Sequence, residues 1–142
     1  MYALLRELAS GIVAFEGAAA HSVGMTAAER KCAELLLEKG KLTPSELAEA
    51  TGMTSGAMTG IVDRLVRAGY AVRVANPDDR RSVLVQVRRA SQLAVRFGPF
   101  DSALTAAMDQ VHASYSRKER DLIRRYLTEL ITTVRCETDK HR

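Results

Sequence analysis

The chain has 142 residues, 46% of them apolar and 27% charged, a balance that fits one globular domain large enough to bury a core. Its 21 basic and 17 acidic residues leave a net charge of +4, and no apolar run approaches the roughly 18 uncharged residues of a membrane span. Cys32, Cys136 and the dispersed His21, His112 and His141 lack metal-ligand spacing, and no phosphate loop, nucleophile elbow or carboxylate pair occurs, so neither a metal, a cofactor nor an enzyme is expected.

Residues 2–20 carry Leu4, Leu5, Leu8, Ile12 and Phe15 at helical intervals. Arg6, Glu7 and Glu16 interrupt the run, so no signal peptide is expected, and two cysteines far apart make a reduced, cytoplasmic setting the expected default. Residues 21–24 read as a loop. Thr26 with Glu29 forms a capping box, in which each side chain satisfies the other's free backbone N–H. The helix that follows turns Ala28, Cys32, Leu35 and Leu36 inward and ends at Gly40. Thr43-Pro44-Ser45-Glu46 is a second box, with proline at the first helical position, where its missing N–H costs nothing. Leu47 and Ala48 are the buried residues of that short helix. Thr51-Gly52-Met53 makes a turn, and Thr54 caps a helix that runs to Gly69.

Two β-branched, alternating strands are predicted over residues 71–74 and 83–87, joined through Asn76-Pro77-Asp78 turn chemistry. A long helix over residues 90–113 carries Leu93, Phe97, Phe100, Leu104, Met108 and Val111 on one stripe. Gly98-Pro99 predicts a kink or a break within it. Ser116 and Glu119 form a third box, opening a helix with Leu122, Ile123, Tyr126, Leu127, Leu130, Ile131 and Val134. Residues 136–142 are expected to fray.

The order helix, turn, helix, hairpin makes residues 26–89 a winged helix-turn-helix lobe. The fold class is mainly α with a small β-hairpin wing, in a single domain whose residues 1–25 and 90–142 carry apolar stripes wide for a monomer and are expected to be dimerisation helices. The charge agrees. Residues 63–89 hold seven arginines and three aspartates, a net +4, so the rest of the chain is neutral and the excess is local. A local basic patch on one element implies a polyanionic partner. On the helix after Thr54, the positions Ala57, Met58, Ile61, Leu65 and Ala68 gather on one side. Ser55, Gly56, Thr59, Gly60, Asp63 and Arg67 gather on the other. That second face is small and nearly flat, so its backbone can approach base edges, and the helix start favours phosphate. Arg64 and Arg67 are within reach of phosphates. At the hairpin tip, Asp78-Asp79-Arg80-Arg81 can place a guanidinium in a minor groove, held extended by carboxylate pairing.

The stretch from Thr43 to Val87 resembles the DNA-binding lobe of the MarR family of bacterial regulators. The resemblance rests on Leu47-Ala48, the run Asp63-Arg64-Leu65, Gly69-Tyr70 and the wing pattern Asp79-x-Arg81. It implies a homodimer of intertwined terminal helices on a palindromic double-stranded operator, with Arg81 in the minor groove, oriented by Asp79. It also implies a small phenolic or anionic effector, for which Phe15, His21, Met25 and Phe97 are the candidate residues. One departure is that family members often place Thr-x-x-Gly after the second wing strand. This chain has Arg88-Arg89-Ala90-Ser91 there, which leaves the start of the long helix open. The reading is therefore a DNA-binding repressor released by an effector. The rival is a winged-helix protein–protein adaptor that never binds DNA, for which a basic wing has no use.

Overall fold

The computed structural model describes residues 1–141. They form α1 (Tyr2–Ser22), α2 (Ala27–Lys39), α3 (Pro44–Thr51), α4 (Ser55–Arg67), β1 (Ala71–Ala75), β2 (Val83–Val87), α5 (Ala90–Ala113) and α6 (Arg117–Lys140). The chain divides into two compact units, Met1–Pro99 and Phe100–Arg142. No helix among the described residues is long and apolar enough to cross a membrane.

In the first unit, the capping boxes of Thr26 with Glu29 and of Thr43 with Glu46 both form, each fixing the start of its helix. Gly52 ends α3 at φ 70°, a left-handed backbone that glycine adopts without a β-carbon clash. This reverses the chain so that Thr54 can cap α4, its side chain accepting the Ala57 N–H. The core is built from Cys32 and Leu36 of α2, Leu47 of α3, Met58, Val62 and Leu65 of α4, Val85 of β2, and Leu93 and Phe97 of α5. Ala20, Val23 and Met25 join it, so the last turn of α1 is built into the lobe that the sequence was expected to open at residue 26.

β1 and β2 pair antiparallel, from Ala71 opposite Val87 to Ala75 opposite Val83. Leu42 adds a one-residue bridge, exchanging backbone hydrogen bonds of 3.1 and 2.7 Å with Val85. This rim of the sheet had no sequence signature, because one residue cannot alternate.

Several sequence expectations are corrected. The buried stripe of α4 is Met58, Ile61, Val62 and Leu65, while Ala57 and Ala68 are exposed. The helix has turned to cover valine instead of alanine, which removes more apolar surface from water. α1 runs on through residues read as loop, to Ser22, and α6 continues to Lys140 instead of fraying at Cys136. Of the kink or break expected at Gly98-Pro99, only the break is excluded, since α5 is continuous there; the division into units falls at that point. Its start is now defined: Arg89 precedes it with φ 76°, an unusual left-handed arginine.

In the second unit, Ser116 and Glu119 complete the third capping box. No residue of α6 is buried, and Leu122, Ile123, Tyr126, Leu127, Ile131 and Val134 are all exposed.

Candidate nucleic-acid interface

The site begins at the N-terminus of α4. Its first N–H groups have few internal partners, and Thr54 satisfies only that of Ala57. Ser55, Gly56 and Thr59 are exposed around this end, and Gly60 is half-buried. A β-carbon at Gly56 would meet nothing within 4 Å. The Thr59 hydroxyl donates to Ser55 O at 2.9 Å, which holds it against its own helix with its lone pairs outward. The buried stripe described above anchors the opposite side of α4, so the small-residue face points out by construction.

The five arginines of α4 and the hairpin fall into two groups. Arg67, Arg80 and Arg81 are exposed and, among the described residues, no carboxylate holds their guanidiniums. Arg64 and Arg73 are engaged. Arg73 of β1 donates to Asp63 of α4 at 2.7 Å, tying that helix to the hairpin. Asp63, on the outward face of α4, thus has its charge paired across two elements. The Arg64 Nε donates to Glu29 Oε1 at 2.5 Å, which reaches from α4 to the start of α2. Sequence reasoning assigned Glu29 only its cap and left Arg64 free. No pattern in one chain announces a pair 35 residues apart.

At the wing tip the aspartate acts on the backbone. Asp79 Oδ1 accepts the Arg81 backbone N–H at 2.9 Å, and Asn76 Oδ1 accepts that of Asp78 at 3.1 Å. Ser82 donates to Asp79 O, and Asn76 Nδ2 donates to Ser82 Oγ at 2.7 Å, which closes the base of the loop. The expected carboxylate–guanidinium pairing is corrected: Asp79 fixes the chain that carries Arg81 and leaves its guanidinium open. These are the local side-chain-to-backbone bonds that Asp and Asn make in turns.

Behind the interface, two arginines stack on aromatic rings. Arg30 of α2 is 5% exposed, pairs with Glu34 at 2.9 Å and lies 5.2 Å from the centre of the Phe97 ring. Arg96 of α5 lies 5.7 Å from the Tyr70 ring and donates to the Tyr70 hydroxyl, bracing the junction between α4 and β1. Of the four candidate effector residues, Met25 and Phe97 sit in the core, Phe15 is half-buried and His21 is exposed. A concavity of about 430 Å³ lies elsewhere, lined by Val111, His112, Tyr115, Ile123 and Leu127 with Arg120 and Arg124. Among the described residues there is no cluster of groups able to hold a metal ion.

A capped helix pair with a braced basic hairpin defines a winged helix-turn-helix module. The MarR family model matches residues 23–82, the stretch from the core end of α1 to the wing tip. An uncharacterized HTH-type transcriptional regulator of Bacillus subtilis, YcgE, is 36% identical over 122 residues, 84% of this chain and 77% of its own. The chain belongs to the MarR family of transcription regulators. Two solved structures share its fold. One is a cysteine-to-serine mutant of Escherichia coli MarR complexed with operator DNA, with TM-score 0.68, 22% identity, and 89% of this chain and 90% of that one covered. The other is NadR in complex with 4-hydroxyphenylacetate, with TM-score 0.71, 24% identity, and 89% and 88% covered.

Proposed function

We propose that this regulator is a homodimeric repressor that binds a palindromic operator in the cytoplasm and is released by a small phenolic or anionic effector. Residues 26–89 serve as the DNA-binding lobe, completed by the last turn of α1 and the turns of α5 holding Leu93 and Phe97, which pack into its core, and the remainder of residues 1–25 and 90–142 serves dimerisation. The observation that carries the reading is the outward face of α4, whose Thr54, Ser55, Gly56, Thr59 and Gly60 lie in the same unit as three uncommitted arginines, Arg67, Arg80 and Arg81. Small residues admit a duplex close to the helix, and the free guanidiniums supply phosphate and minor-groove contacts. Two such lobes about one helical turn of DNA apart would read a palindrome. The effector part of the proposal has its support in NadR, a protein of the same fold solved in complex with 4-hydroxyphenylacetate, a phenolic acid.

The test is selection of bound duplexes from a random pool, followed by titration of the winning sequence. A palindromic consensus bound at least a thousandfold above random DNA is expected. Phenolic carboxylates added to that complex should release it. Retention of no duplex, or of all duplexes equally, would reject sequence-specific recognition and favour the adaptor.

A further inference from the structure

Glu29 is an acidic residue paired with Arg64 beside the proposed DNA surface, yet its side chain is only 11% exposed. Both of its oxygens are in use. Oε2 accepts the Thr26 N–H at 2.8 Å, and Oε1 accepts Arg64 Nε at 2.5 Å. Burial alone would raise its pKa. The Thr26 amide and the Arg64 guanidinium outweigh that and hold it below the ordinary value, so it remains a carboxylate.

Arg64 is used differently at its two ends. Its Nε is committed, but its side chain is 51% exposed. Its Nη1 lies 3.7 Å from the place where a β-carbon on Gly60 would stand. The guanidinium therefore lies across Gly60, beside the outward face of α4. Glu29 keeps the arginine there through its Nε.

We propose that Glu29 is a positioning residue for DNA binding: from the start of α2 it holds Arg64 by Nε across Gly60, so that the Nη groups meet a DNA phosphate. This rests on the DNA-binding reading above. An unheld arginine loses rotamer freedom on binding, whereas a held one has already lost it. A carboxylate at a DNA surface ordinarily repels phosphate, so the sign of its removal separates the two roles.

The experiment measures affinity for the selected duplex across a salt series for wild type, Glu29→Gln, Glu29→Ala, Arg64→Ala and the double variant Glu29→Ala/Arg64→Ala. Glutamine keeps the capping box and hence the fold while weakening the charge-assisted hold on Arg64. Arg64→Ala should lower the slope of log affinity against log salt by about 0.9 per lobe. Glu29→Gln should bind roughly threefold more weakly or worse, although it makes the protein more positive. The double variant should bind no more weakly than Arg64→Ala alone, because the glutamate acts through the arginine. Tighter binding by Glu29→Gln, an unchanged slope in Arg64→Ala, or independent effects in the double variant would each overturn the proposal while leaving DNA binding intact. A wild-type protein that selects no duplex would instead defeat the reading on which it rests.

Discussion

Cys32 is fully buried, with its Sγ 3.6 Å from Met58 Sδ, and burial aided by the nearby Glu29 charge pushes its thiol up to about 11. A thiol in that state is neither nucleophilic nor accessible. Cys136 is exposed on α6. A haloacetamide at about pH 8 should therefore label one cysteine in the native protein and both after unfolding, as read by mass spectrometry. Two rapid native labels would place Cys32 at a mobile surface. At the wing, Arg81→Ala should bind the selected duplex more weakly and lower the salt slope by up to about one unit per lobe. Asp79→Ala should also weaken binding, although it removes a negative charge, because the bond that fixes the Arg81 backbone disappears. Tighter binding by Asp79→Ala would reduce the wing to a diffuse basic patch. The motif Asp79-x-Arg81 was legible in the sequence, but its mode of contact was not. Residues two apart fit a side-chain pair and a turn equally well, and only the loop backbone decides between them.

Among the elements, the helix starts were the most legible. A capping box is local chemistry over four residues, and all three formed where threonine or serine stood three before glutamate. The same boxes carry a pH dependence. The Thr43 backbone and side chain lower the pKa of Glu46, and the Ser116 side chain and backbone lower that of Glu119, while Glu29 is lowered against its burial. Carboxylates depressed in the folded state contribute stability above their unfolded pKa and lose it as pH falls through the folded one. The melting temperature should thus drop below about pH 4.5, and Glu29→Gln should flatten that drop. An equal drop in the variant would remove Glu29 from the acid response. Less legible were features that depend on partners. The Leu42 bridge has no periodicity of its own, and the facing of α4 toward Val62 was settled by the core, not by the helix. Gly60→Glu probes the outward face directly. It should cost more than tenfold in affinity for the selected duplex, a loss above about 1.4 kcal/mol, with little change in melting temperature. Unchanged affinity in the folded variant would remove residues 55–60 from the interface.

For the whole molecule, the decisive observation is apolar surface left uncovered. α1 exposes Tyr2, Leu4, Leu8, Ile12 and Val13, and α6 buries nothing. Contiguous apolar faces of this kind are uncommon on soluble monomers. Sedimentation at micromolar concentration should give a dimer, and deletion of residues 120–142 should give an aggregating product; a well-behaved monomer at high concentration would contradict this. The terminal helices were legible in the sequence as stripes, since amphipathic periodicity is written along one element. What would cover them is not, since the proposed partner, a second copy, leaves no separate mark in the chain. Pro99 has a consequence here. It brings no N–H to the Val95 carbonyl, so the helical ladder of α5 is missing a rung where the two units divide. Opening of the chain beyond residue 99 need not propagate into the lobe before it. Amide hydrogen exchange should then sort into two cooperative classes, slow in α2, α4 and β2 and fast beyond residue 100. In a dimerising protein only the second class should gain protection as concentration rises, which ties the persistence of the assembly helices to the number of chains in the cell.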